Sequence, residues 1–473
     1  MERYFKKFIR SLFTKLLYLF YSLLVKMTVK DKSTLPKRYV YDLYETFVSD
    51  DVKKIVMPYT EVDDFNRHNL NRPYEVLDAE IIDKKVTLDL NFDSTKDIAL
   101  PLALLDESAS DNETKTVDIK YGDKISSLEL KHKNRFHYLP IKNLIGFDKL
   151  SIRSDDSKLA VGSPIPRHKV FNQGRPKLIV HIFVDALSKV LMDSFDEELM
   201  PATNSFFSKG LIFNNAYSQA DWTLSSIAGV FSGKYTKDHL IYHPRDGKKI
   251  KDTVLAEVLK NNGYLTSMIS SIPKLTPLNG FDRGFSRCVV APFKSADFII
   301  NEAIEQLDAF GGEQYMFLGL FDAHEAHKLQ PISSQLNNDL NDLRYKHTKA
   351  EKGLSINYDK HRIAMCSNTY RHLDSKLETL YQKIEQYDKD ALVILHSDHG
   401  VDFITKNNFR LSNARQKVAL MMRGGVTNSS IIESCAEIRM VSSLVLKNAN
   451  IVNEIIYNHS KFVKTESIYP DQE

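Results

Sequence analysis

Three apolar runs of the chain end in residues that ligate metals or move protons. KLIVHIFVDAL (177–187) carries Asp185, QYMFLGLFDAH (314–324) carries Asp322 and His324, and ALVILHSDHG (391–400) carries Asp398 and His399. A continuous apolar run bounded by polar residues reads as a strand buried on both faces, as in a parallel sheet. In open parallel sheets ligands collect beyond the carboxyl ends of the strands, so residues far apart in sequence converge there. Carboxylates with one or two imidazoles are an oxygen and nitrogen donor set for one divalent ion, whether manganese, zinc, calcium or magnesium. Taken singly, each has a plainer reading. Asp185 would cap the next helix, and Asp398-His399-Gly400 would be a polar turn. Recurrence at three equivalent strand ends favours a shared metal site.

The stretch AYSQADWTLSSIAGVFSG (216–233) holds the one tryptophan of the chain, followed by Thr223 and two serines. Thr223 has two readings. It is an ordinary N-cap of the apolar helix that follows, or a hydroxyl that a metal ion activates as a nucleophile. At a helix start it would also meet free N–H groups suited to a phosphate-like anion.

The elements that must position these residues alternate. LAEVLKNNGYLTSMISS reads as helix, glycine stop and strand; SADFIINEAIEQLDAF and TYRHLDSKLETLYQKIEQY read as amphipathic helices. This predicts an α/β unit over 177–473, a mostly parallel sheet sandwiched by helices. Residues 71–160 show short alternating runs between polar turns, which predicts a small antiparallel β-domain of sandwich type. Residues 27–70 read as a connecting segment, 161–177 (VGSPIPRHKVFNQGRPK) as a linker, and the long polar stretch 329–357 as a lid or substrate loop.

Composition narrows the partners. With 64 basic and 61 acidic residues the net charge is +3, which does not support nucleic-acid binding. Three scattered cysteines offer neither a disulfide framework nor a zinc-thiolate site. Residues 1–30 mix lysine and arginine with Phe and Leu at helical spacing, without a full membrane span or a cleavable signal. They suit a basic amphipathic helix on a membrane surface or against a partner, or one packed on the protein's own body. The expected location is cytoplasmic or peripheral at a membrane.

Taken in order, VDAL, WTLSSIAGVFSGKYTKDH, LAEVLKNNGY, GFDRGF, FDAHEAH and SDHG resemble the alkaline phosphatase superfamily, in its sulfatase-like branch. The resemblance covers 177–450. It implies a hydrolase or phosphotransferase acting on an anionic ester, glycan-linked or lipid-linked, with one divalent metal ion on Asp185, Thr223, Asp398 and His399. It implies Thr223 as nucleophile, His324 as the residue that serves the leaving group, and His239 and Arg415 as substrate contacts, with Arg410 and Lys417 as further basic candidates. Sulfatases that oxidise their nucleophile need Cys or Ser followed by x-Pro-x-Arg; Thr223-Leu224-Ser225-Ser226-Ile227 has neither the Pro nor the Arg, and threonine cannot yield the aldehyde. Threonine there implies a phospho-threonine intermediate, as in phosphoglycerol and phosphoethanolamine transferases and phosphodiesterases. Asp185-Ala186 stands where sulfatases often carry two aspartates, which implies one metal ion. Asp322 is left to serve a second ion or to orient His324. The alternatives are a sulfuric ester hydrolase and a non-catalytic glycan-binding relative.

Overall fold

The computed structural model describes residues 73–452 apart from 92–96, 106–113, 132–135, 143, 145–148, 168–173, 243–247, 325–359, 405–410 and 426–428, together with Thr465 and the backbone of Thr46–Val48 and Lys53–Pro58. The basic segment 1–30, the polar loop 329–357 and Arg410 lie outside the described residues.

Six adjacent strands form the part of the sheet that carries the strand-end residues: β1 (Leu178–Val184), β2 (Leu265–Ser270), β3 (Arg287–Val290), β4 (Gln314–Leu320), β5 (Leu392–His396) and β6 (Leu420–Arg423). Their spatial order is β3-β2-β4-β1-β5-β6, with the first five parallel and β6 antiparallel to β5. The chain leaves β1 on one side and returns on the other with β5. This reversal opens a crevice at the carboxyl end of β1.

The apolar run of β1 hides a period of two. Ile179 and Phe183 pack into the core on one face, while Leu178, Val180, Ile182 and Val184 pack into the core on the other. Helix α1 (Thr223–Ser232) lies in the first layer. Helices α2 (Ala296–Ala309) and α3 (Lys360–Tyr387) lie in the second, α3 through Tyr370, Leu373, Leu377, Leu380 and Ile384 at the spacing of one helical stripe. No helix among the described residues is long and apolar enough to cross a membrane.

The N-terminal strands form two antiparallel layers. Thr87–Asn91, Lys149–Arg153, Thr114–Tyr121 and Lys124–Lys131 make a four-stranded sheet. Its inward residues Val117, Ile119, Leu150 and Ile152 meet Leu100, Leu102 and Leu104 of the strand Asp97–Leu104. The second layer is not confined to this region. Its strand Tyr74–Ile82 pairs antiparallel with β3, so in hydrogen-bonding terms the layer continues the parallel sheet. The supposed connector 27–70 also contributes, since Lys53–Pro58 pairs with Tyr74–Ile82. Likewise the first residues of the supposed linker extend the layer, through Leu159–Gly162 and Ile165–Pro166. Pro166 is tolerated because its strand lies at the sheet edge, where the missing N–H breaks no ladder.

A buried ion pair fastens the junction. Arg287 on β3 donates from Nε to Glu75 Oε1 at 2.6 Å, and Tyr138 donates its hydroxyl to the same oxygen at 2.6 Å. Arg287 Nη1 donates to Gln306 Oε1 at 2.9 Å. Removing one partner of such a pair leaves a charge stranded in low dielectric. Glu75→Ala is therefore expected to lower the unfolding free energy by about 3 kcal/mol in urea titrations, and Glu75→Gln by less, because it keeps an acceptor for Arg287 and Tyr138.

Candidate active site

Asp185 follows β1, His324 follows β4 and Asp398 follows β5. These three strands are neighbours, and strand spacing alone brings their ends to one place. Asp185, His324 and His399 each offer a ligand atom, and these atoms lie within 4.8 Å of one another. Asp398 adjoins them, with His399 Nε2 at 3.3 Å from Asp398 Oδ2 and 3.7 Å from Asp185 Oδ1. The triad thus brings in His324, which the sequence had assigned to the leaving group rather than to the metal.

The loop after β1 is fixed by hydrogen bonds from all sides. Ala186 holds a positive φ of 61°, a conformation that L-residues rarely adopt, and so turns its N–H onto Asp398 Oδ1 at 3.0 Å. His399 N–H reaches the same oxygen at 2.9 Å. Leu187 N–H donates to Ser397 Oγ, and Ser188 N–H to the Tyr370 hydroxyl from α3. Gly400 follows because a Cβ there would sit 2.1 Å from Ala414 O.

Thr223 is the first residue of α1, not its cap. Trp222 occupies the cap position, with extended backbone and no side-chain cap bond. The Thr223 hydroxyl lies 3.4 Å from Asp185 Oδ2 and also hydrogen-bonds Asp398. The serines that crowd this stretch hold the helix in place. Ser226 Oγ donates to Asp398 O, Ser225 Oγ to Ile241 O, and Trp222 Nε1 to Ser225 Oγ. Every residue of α1 is buried.

The remaining candidates are placed as follows. Arg415 donates from Nε and Nη2 to Asp221 O at 3.0 and 2.6 Å, and from Nη1 to Gly400 O at 3.0 Å. It staples the Thr223 segment to the His399 loop. His239 is buried beside α1 and accepts Ile241 N–H on Nδ1 at 3.0 Å; it is not one of the triad. Asp322 accepts Ala296 N–H at 3.0 Å, the first amide of α2, so it caps that helix. Lys417 bridges backbone to Tyr217 at the far end of its turn. Lys274, which the sequence reading passed over, lies 4.6 Å from the Trp222 ring centre, and its charge reaches His399. Its signal was available: it follows β2 at the same carboxyl edge as the other site residues.

Electrostatics tests whether a cation fits. Burial pushes Asp398 up to about 7, and the Asp185 carboxylate raises it further within that value. Burial, then Arg415 and His324, hold His399 well below the ordinary histidine range, so it is neutral. Its Nδ1 lies 2.9 Å from Gly400 O, an acceptor, so Nδ1 carries the proton. The lone pair of Nε2 then faces the two carboxylates. Two buried acids and an imidazole lone pair directed at one point are mutually unfavourable unless a cation lies among them. The donor set fits a divalent ion of the zinc or manganese type.

Residues 177–423 match the family model described as Sulfatase. No curated protein matches the chain. Among solved structures, the chain is similar to the phosphonate monoester hydrolase of Agrobacterium radiobacter at 14% identity, covering 59% of this chain and 74% of that one, with TM-score 0.45. It is similar to a protein in the alkaline phosphatase superfamily from Vibrio parahaemolyticus at 17% identity, covering 59% and 68%, with TM-score 0.43. It is also similar to BT4656 in complex with its substrate D-glucosamine-2-N,6-O-disulfate, at 13% identity, covering 63% and 82%, with TM-score 0.43.

Burial lowers His239 to about 4. Its neutral form is favoured in the fold, so its contribution is full above the unfolded value near 6.5 and is lost as pH falls through about 4. Between pH 7.5 and 4 the stability advantage of the wild type over His239→Gln is expected to shrink by about 3 kcal/mol, read by denaturant unfolding at each pH.

Proposed function

The chain belongs to the sulfatase family, and from that premise we propose that it is a metal-dependent phosphoryl transferase or phosphodiester hydrolase working through phospho-Thr223. It is an enzyme of the alkaline phosphatase superfamily. The observation that carries the finer reading is the Thr223 hydroxyl at the start of α1, 3.4 Å from Asp185 Oδ2, in a segment with no cysteine and no Pro or Arg at the positions that aldehyde formation requires. The charges of Lys274 and Arg415 near His399 support an anionic ester as substrate.

Asp185, Asp398 and His399, with the Thr223 hydroxyl beside them, would hold the metal ion, which when bound lowers the pKa of a nearby hydroxyl and offsets negative charge on the transferred group. Thr223 Oγ1 attacks phosphorus while its proton passes to Asp185 Oδ2, and the bond from phosphorus to the leaving oxygen breaks. His324, half-buried, gives that oxygen a proton. In the second half, water or a sugar hydroxyl attacks the phosphothreonine as His324 takes its proton, and Thr223 oxygen recovers its own. The Ala186 and His399 amides keep Asp398 oriented throughout.

A second reading, sulfuric ester hydrolysis with threonine attacking directly, is favoured by the family match. Turnover of p-nitrophenyl sulfate against bis(p-nitrophenyl) phosphate separates the two. On the phosphodiester, Thr223→Ala is expected to lose about a thousandfold or more in kcat, while melting at the wild-type temperature. Intact-protein mass spectrometry of the wild type is expected to trap a phosphoryl adduct that maps to Thr223; full activity in Thr223→Ala would sink the reading. Dialysis against a chelator is expected to abolish turnover and manganese or zinc to restore it, with metal analysis giving one ion per chain.

A further inference from the structure

We propose that Phe293 is a specificity-determining residue, its ring carrying the flat face of a sugar attached to the ester, so that the substrate is a phosphorylated pyranose. The inference rests on the phosphoester reading above.

The starting point is a residue that neither its backbone nor its burial explains. Ala291-Pro292-Phe293-Lys294 turns the chain between β3 and α2, with Lys294 N–H donating to Ala291 O at 3.1 Å. Proline in the second position and a positive φ in the third are the marks of a type II turn, whose third position favours Gly or Asn. Here it holds phenylalanine at φ 62° and 48% exposed. A bulky side chain in that conformation is strained, and half-exposure returns little of the cost. Leu240 shares both features, at φ 59° and 45% exposed, but it ends a helix, where a left-handed residue is ordinary. No helix ends at Phe293.

What the ring touches points to a use. Phe293 meets Phe321 edge-on, with centres 5.3 Å apart and planes at 79°. Phe321 in turn stacks on His324, with centres 4.8 Å apart and planes at 19°. An aromatic ladder therefore runs from the surface to the imidazole that serves the leaving oxygen. A group bonded to that oxygen would sit beside His324, where the ladder ends. An aromatic face receives the C–H-bearing face of a pyranose through dispersion and its negative quadrupole.

The test is calorimetric binding of glucose 6-phosphate and glycerol 1-phosphate to the manganese-loaded protein, its Phe293→Asn variant and its Phe293→Trp variant. Asn suits the left-handed turn, so Phe293→Asn is expected to melt no lower than the wild type. The wild type is expected to bind glucose 6-phosphate about tenfold more tightly than glycerol 1-phosphate. Phe293→Asn is expected to bring the two within about twofold, and Phe293→Trp to keep the preference. Equal binding in the wild type, no binding of either ester, or a preference that survives in Phe293→Asn overturns the assignment. Failure to turn over bis(p-nitrophenyl) phosphate with the ring preference intact instead counts against the phosphoryl-transfer reading alone.

Discussion

Two carboxylates, Asp185 and Asp398, are buried beside one hydroxyl at the carboxyl edge of a parallel sheet. Charged groups lose several kcal/mol of solvation on burial, and like charges add repulsion to that loss. Much of the surrounding architecture answers this one cost. Two backbone amides converge on Asp398 Oδ1, and one of them requires Ala186 to accept a left-handed backbone. Tyr370, from the middle of α3, holds the same loop, its hydroxyl accepting Ser188 N–H and donating to Ala186 O. Arg415 neutralises the carbonyl ends of two loops rather than either acid. A divalent cation would complete the balance by supplying the positive charge that the side chains around it withhold.

The same economy explains why the site lies where it does. β1 is flanked by β4 and β5, so the residues just beyond the three strands are brought together without any long loop. On the other side of the sheet the strands extend past β3 into the N-terminal layer. The far layer then packs on this extension through a core of its own. The N-terminal region is joined to the catalytic sheet by main-chain hydrogen bonds and by the Glu75–Arg287 pair, a stiffer connection than a peptide linker gives.

Strand-end chemistry was legible in the sequence because a buried parallel strand writes itself as an uninterrupted apolar run, and the polar residue that ends it is conspicuous. Asp185, His324, Asp398 and His399 were found that way, and the structure brings them together with Thr223, which was marked instead by its place at a helix start. What stayed hidden was pairing. Nothing in Tyr74–Ile82 announces β3 as its neighbour, because a ladder is made of backbone groups that every sequence shares. The prolines around Pro166 read as a linker for the same reason, since composition cannot tell an edge strand from an extended connector. Asp322 reads like its neighbours in sequence but points to α2, a difference set by geometry beyond the strand end. Lys274 was marked only by its place after β2, and Phe293 belongs to a loop whose sequence carries no motif.

Trp222 caps α1 one residue before Thr223, with the Lys274 ammonium over its ring. It is also the single tryptophan of the chain. All indole emission of this protein therefore originates one peptide bond from the proposed nucleophile, under the field of a cation that an arriving anion would draw away. The molecule carries its own optical probe at the site, in a position where a label introduced by design would have blocked the chemistry it was meant to observe.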